Sequence, residues 1–137
     1  MREYTWQQLE ADCKIIAAWA EEQGFKNIFG IPRGGMVIAV VLSYLLDIPL
    51  LLGVDEISRH TLVVDDLSDT GETFALLEKR LGFRPRVAAL FFEKKTRWMP
   101  EFTAHEKSDW IKFPWETPEG STYNGTFRKF LEAHPKQ

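Results

Sequence analysis

Two runs of consecutive apolar residues, Leu62-Val63-Val64 and Val87-Ala88-Ala89-Leu90, most constrain what this chain can fold into. Neither alternates with polar residues, so each strand must be covered on both faces, as in a parallel sheet between helices. The segments around them agree. Trp6, Leu9, Cys13, Ile16 and Ala20 recur at steps of three and four, marking one buried face of a helix. Thr5 with Gln8 reads as its capping box and Gly24 as its stop. Next come a strand over 27–31, the turn Pro32-Arg33-Gly34-Gly35, a helix from Met36 to about Leu46, and strands over 49–52 and 61–64. A helix with Phe74, Leu77 and Leu81 on one face, closed by Gly82, leads to a fourth strand over 87–92. Strands alternating with helices imply right-handed crossovers. The expected fold is therefore α/β, a mainly parallel twisted sheet flanked by helices.

After Phe92 the rhythm breaks. Residues 93–123 are rich in Trp, Pro and charge and offer one short candidate strand, 110–113. Residues 125–133 read as a last helix packing Phe127, Phe130 and Leu131, ended by Pro135. The expectation is a single domain over 1–137: a core of about 25–92, a small C-terminal hood of about 93–116 and a tail over 117–137. A net charge of −3 gives no global pull toward polyanions, so neither nucleic acid nor membrane is an expected partner. The longest apolar run, Met36 to Leu46, is far short of the roughly 20 residues of a membrane span. Cys13 is the single cysteine, which excludes an internal disulfide or a cysteine metal cluster. MREYTWQQLE lacks an apolar signal region, and a cytoplasmic location is expected.

Ligands of open parallel sheets bind outside the carboxyl ends of the strands, where two unusual turns fall. In GIPRGGM, residues 30–36, Gly34 and Gly35 let the backbone approach a ligand at a helix start, and Arg33 adds positive charge. Alone, that turn reads equally well as a tight strand-to-helix connection. The second stretch, VVDDLSDTGET, ends a strand and begins a helix. There the amides of Thr70, Gly71, Glu72 and Thr73 and two threonine hydroxyls can wrap one phosphate. Three carboxylates beside an anion site make sense if they grip what the phosphate is attached to. Asp65 and Asp66 can accept from ribose hydroxyls or hold Mg²⁺, directly or through water. The bland alternative, in which Asp69 merely caps the helix, leaves the acid pair unexplained. A phospho-receiver site is disfavoured, because its acid pair closes the first strand.

VVDDLSDTGET resembles the ribose-phosphate signature of type I phosphoribosyltransferases, and GIPRGGM resembles their pyrophosphate loop. DWIKFPWE, residues 109–116, is similar to a C-terminal segment of the short xanthine-guanine branch, where a Trp-Ile pair lines the purine site before a Pro-Trp-acid trio. The resemblance implies transfer of phosphoribose from phosphoribosyl pyrophosphate to N9 of a 6-oxopurine, with Mg²⁺ as cofactor, and a homodimer. It implies that Asp65 and Asp66 meet the ribose hydroxyls and the metal, and that Asp69 accepts a proton near the purine N7 edge. Residues Thr70 to Thr73 hold the 5'-phosphate, and Arg33, Gly34 and Gly35 hold pyrophosphate. Trp110 stacks on the base, where without the resemblance it would read as simple core. Ile111 offers apolar contact and a backbone carbonyl. A lysine donates to the 6-oxo oxygen; FFEKKT offers Lys94, which is favoured, or Lys95.

One departure stands out. Enzymes of this family carry a long loop between the second and third strands that closes over the donor. Here residues 53–60 alone make that connection, with Arg59 and His60 as candidate stand-ins. The alternatives are therefore a non-catalytic binder of the donor or of a nucleotide, and a transferase for a different base.

Overall fold

Arg2–Glu3 form a two-residue strand, β1, and Thr5 then caps the helix α1 (Trp6–Glu21). Thr5 Oγ1 accepts from the Gln8 amide at 3.1 Å, and Gln8 Oε1 accepts from the Thr5 amide at 2.8 Å, which is the reciprocal pair the sequence implies. The computed structural model describes residues 2–117 and 126–135. Its central sheet is parallel, with β2 (Asn27–Gly30), β3 (Thr61–Ser68), β4 (Arg86–Phe92) and β5 (Phe102–Glu106) in that spatial order. Helix α2 (Gly34–Leu46) links β2 toward β3, and α3 (Glu72–Leu81) links β3 to β4. Both faces of the apolar strands are covered. Leu62 and Val64 pack with Ile16, Ile38 and Leu42 of α1 and α2, while Val63 and Val87 pack with Phe74 and Leu77 of α3. Leu131, on the last helix α4 (Thr126–Ala133), completes the second layer and is fully buried. Among the described residues no helix is long and apolar enough to cross a membrane.

Several elements depart from expectation. Helix α2 starts at Gly34 rather than Met36. The strand expected over 49–52 reduces to one bridge, Leu50 to Ile28. The chain then leaves the sheet for a 3₁₀ turn, Val54–Glu56, pinned by the Gly53 amide donating to Glu56 Oε2 at 2.9 Å and by Asp55 gripping Arg80 at 2.9–3.1 Å. Strand β3 continues past Val64 to Ser68, because β4 supplies partners as far as Phe92. Asp65 and Asp66 thus lie inside the strand, where the ladder overrides the low strand preference of aspartate. Strand β5 was not foreseen; as a half-buried edge strand it carries no apolar run. Strand β6 (Ile111–Lys112) falls inside the expected 110–113 but pairs with β1, away from the central sheet. Gly125, the expected start of α4, lies outside the described residues. Phe130 is 39% exposed against Arg80 rather than buried, and Trp6, 55% exposed, leans toward Trp115 rather than into the core.

Candidate active site

Both singled-out turns emerge at the carboxyl end of the sheet, and the fold brings them into contact. Arg33 occupies the position before α2, exposed, and the Pro32–Arg33 peptide is cis. Gly34 and Gly35 begin the helix. A Cβ on Gly34 would strike the Asp66 carboxylate, so this glycine lets the acid pair lie against the helix start. Two motifs far apart in sequence therefore touch at the carboxyl end of the sheet.

Asp65 and Asp66 are half-buried neighbours, and the Asp66 amide donates to Asp65 Oδ1 at 2.8 Å. Burial, and then the Asp66 charge, push the Asp65 carboxyl well above its ordinary range. Burial also raises Asp66, with the Glu116 charge adding to the effect. The protein thus crowds negative charge at one point, an arrangement that a cation relieves.

Beyond the pair, Ser68 Oγ lies 3.0 Å from Thr96 Oγ1 and donates to the Trp98 carbonyl at 3.2 Å. Asp69 is exposed, 3.8 Å from Lys95 Nζ. It does not cap α3, contrary to the bland reading: Gly71 holds the capping position with φ 88° and has no side chain to cap with. A Cβ on Gly71 would also lie 2.7 Å from the Trp98 backbone nitrogen. Thr70 Oγ1 accepts from the Glu72 amide at 3.2 Å, so this amide already has a local partner. The Glu72 side chain turns away to Arg128 at 3.3 Å, which leaves its backbone as the part facing the loop. Thr73 stands in the first turn of α3. A cavity of about 530 Å³ opens here, walled by Thr70, Gly71 and Glu72 on one side and by Lys95, Arg97 and Trp98 on the other. The Arg97 amide donates to the Thr70 carbonyl at 3.0 Å, tying the two walls together. Arg97 was not foreseen, since a lone arginine in a polar stretch carries no motif.

The hood approaches from the opposite side. Trp110 is 68% exposed, so it is not core, whereas the Ile111 side chain is buried in the main cluster. Lys107 Nζ lies 5.6 Å from the Trp110 ring centroid. Lys94, largely exposed, leans to Glu106 at 3.8 Å; Lys95 leans the other way, to Asp69. Trp115 stacks on Phe113 at 4.9 Å, and its indole nitrogen sits close to Gly34. Glu116 folds back to accept from the Phe113 amide at 2.8 Å, and its charge reaches Asp66. The sequence offered Glu116 only as the acid of a trio, with no assigned role.

Arg59 and His60 do not serve as stand-ins for a lid. They precede β3, so they lie at the amino end of the sheet, roughly 20 Å or more from Asp66 on a strand rising about 3.3 Å per residue. Arg59 packs over Phe83 at 4.7 Å, and the His60 carbonyl accepts from the Lys26 amide at 2.9 Å.

No family model matches the chain. A xanthine-guanine phosphoribosyltransferase from Desulfotalea psychrophila is 33% identical, covering 82% of this chain and 84% of that protein. One from Nitratidesulfovibrio vulgaris is 30% identical over 82% and 83%. Among solved structures, the purine phosphoribosyltransferase from Pyrococcus horikoshii superposes with a TM-score of 0.73 at 30% identity, covering 84% of this chain and 93% of that one. The Helicobacter pylori xanthine-guanine-hypoxanthine phosphoribosyltransferase, at 20% identity and TM-score 0.74, shares the fold over 97% of this chain and 99% of that one. Identity at the level of the first of these, sustained over 82% of the chain, carries more than a shared architecture: this chain belongs to the xanthine-guanine phosphoribosyltransferase family.

Proposed function

We propose that this protein transfers the 5-phosphoribosyl group from phosphoribosyl pyrophosphate to N9 of a 6-oxopurine (xanthine, guanine or hypoxanthine), releasing pyrophosphate in purine salvage. The observation that carries this reading is the seating of Asp66 against Gly34. It sets ribose-gripping acids between a loop suited to the 5'-phosphate and a loop suited to the diphosphate.

In this reading the 5'-phosphate is held by the amides of Thr70, Gly71, Glu72 and Thr73 with the threonine hydroxyls at the start of α3, where a phosphate oxygen replaces the Thr70 hydroxyl as acceptor for the Glu72 amide. Lys95 and Arg97 add positive charge on the facing wall. Arg33, Gly34 and Gly35 receive the pyrophosphate. Trp110 presents an exposed face for stacking, and the Ile111 backbone carbonyl meets the base edge while its side chain stays in the core. Lys94 is the donor to the 6-oxo oxygen, because it leans to Glu106 at the hood side whereas Lys95 leans to the phosphate loop. Breaking the C1'–O bond sends its electron pair to pyrophosphate as N9 bonds to C1', and the N7 proton passes to the Asp69 carboxylate. The acid pair tolerates the positive charge that develops on the ribose ring.

The donor set suits Mg²⁺. Asp65 and Asp66 are oxygen ligands whose mutual crowding a divalent cation relieves. Bound there, Mg²⁺ would neutralise charge on the departing diphosphate. A second copy of the chain is the partner proposed for α2. That helix carries no charged residue, and it turns Met36, Val40 and Tyr44 outward at one-turn spacing.

Incubation with Mg²⁺, labelled donor and a panel of bases tests the reading. Nucleotide formed with 6-oxopurines and not with uracil is the expected result. Saturable donor binding without turnover on any base would instead make the protein a binder.

A further inference from the structure

Remote from the acid pair, a polar cluster lies between the first helix and the sheet edge, with Tyr4 and Asp12 buried and His105 partly exposed. Asp12, on α1, is 5% exposed, an unusual place for a carboxylate. It is held by Tyr4, between β1 and α1, and by His105 on β5. The Tyr4 hydroxyl donates to Asp12 Oδ2, and His105 Nε2, on β5, lies 2.9 Å and 3.0 Å from the two carboxylate oxygens. Tyr4 is itself buried, edge-on to Phe91 and Phe113 at 5.4 Å and 5.6 Å.

The cluster leads to the hood through the backbone. The Tyr4 amide donates to the Lys112 carbonyl at 2.9 Å, and the Arg2 amide donates to the Trp110 carbonyl at 2.7 Å. Strand β1 pairs with β6 alone, in a sheet of two residues per strand, too little to hold register unaided. The Trp110 side chain is mostly exposed, so packing of its ring does little to fix it. Its position is inherited from the β1–β6 ladder, which Ile111 and Phe113 tie to the core on the β6 side and Tyr4 on the β1 side.

We propose that Asp12 is a positioning residue: by tying Tyr4 to His105 of β5 it helps fix the β1–β6 ladder, and through it the Trp110 platform on which the purine stacks. Asp12 touches no reacting atom. The proposal rests on the base-stacking role given to Trp110 above. Removing the carboxylate leaves a buried phenol and an imidazole without their acceptor and frees the N-terminal strand to shift.

The test compares wild type with Asp12→Ala, Asp12→Asn and Tyr4→Phe, by hydrogen exchange and by steady-state kinetics. In Asp12→Ala, exchange of the 109–113 amides should accelerate by on the order of tenfold while β3 stays protected. The KM for the purine should rise by about tenfold with the KM for the donor unchanged. Asp12→Asn, which keeps an acceptor oxygen, should recover most of both. Tyr4→Phe keeps Asp12 paired with His105, and so decides the matter if Asp12→Ala does not fold; it should loosen 109–113 in the same way. Unchanged exchange at 109–113, or equal loosening of β3, would overturn the proposal, as would equal rises in both KM values. A wild type that forms no nucleotide would refute the transferase reading, while the exchange comparison would still decide whether Asp12 holds the platform.

Discussion

At the scale of single residues, the acid pair carries the sharpest tension between folding and function. The Asp65 carboxyl sits above its ordinary range because it is buried beside another acid. The fold therefore favours its protonated form, and folding takes up a proton between the ordinary aspartate range and the raised value. Stability contributed by this group is present at low pH and is lost as pH rises through that window. Asp65→Asn removes the effect. In the absence of Mg²⁺ and donor, the variant should melt at a higher temperature than wild type at pH 8, and the difference should shrink toward pH 4. Turnover should fall by about 10²-fold or more. A variant with an unchanged Tm at pH 8 would show that the carboxylates are not in conflict. Most of these residues could be read from the sequence, because an acid pair, a hydroxylated glycine turn and a second glycine turn each imply a chemistry. Cys13 was also read correctly: burial pushes its thiol up to about 12, leaving an inert core side chain. What could not be read was contact. Nothing local in Pro114-Trp115-Glu116 says that Glu116 meets the acid pair, or in Asp12 that it is buried.

At the scale of elements, α3 is aimed by the glycine that caps it. Gly71 has φ 88°, and Trp98 stands where a side chain would go. Gly71→Ala should destabilise the protein by about 1–3 kcal/mol from backbone strain, in addition to the clash. It should also weaken donor binding more than base binding; urea melts and separate titrations would show both, and equal loss of the two affinities would contradict a phosphate role. The 93–98 segment offers a second check, because its two lysines diverge. Lys94→Ala should raise the purine KM by about tenfold with little effect on the donor, and Lys95→Ala the reverse. An exchanged pattern would reverse their assignment. The sequence yielded the elements with strong periodicity, α1, α3 and β4. It missed β5, whose half-buried residues Phe102 to Glu106 show no clean period, and it stopped β3 short, because the ladder to Phe91 and Phe92 is set by a distant strand. The expected strand at 49–52 failed for the converse reason: its apolar residues have only Ile28 to pair with before Gly53 turns the chain away.

For the whole molecule, the apolar outer face of α2, next to the Arg33–Gly35 turn, predicts self-association. Light scattering should give twice the 15.9 kDa chain mass, and Tyr44→Glu should shift it to monomer with the fold intact; a monomeric wild type would refute a second copy as the occupant. The segment 51–60 does not alter the site, since Asp55 and Ile57 bind it to the α3 side of the sheet. The architecture as a whole instead converges two loops and a hood on one end of four parallel strands, and that convergence is the claim to test. The most direct measurement is a crystal structure with a 6-oxopurine nucleoside monophosphate. The account predicts phosphate oxygens within about 3.2 Å of amides among Thr70 to Thr73, ribose hydroxyls on Asp65 and Asp66, and the base against Trp110. A phosphate bound elsewhere, with the Thr70–Thr73 amides closed on partners of their own, would contradict it.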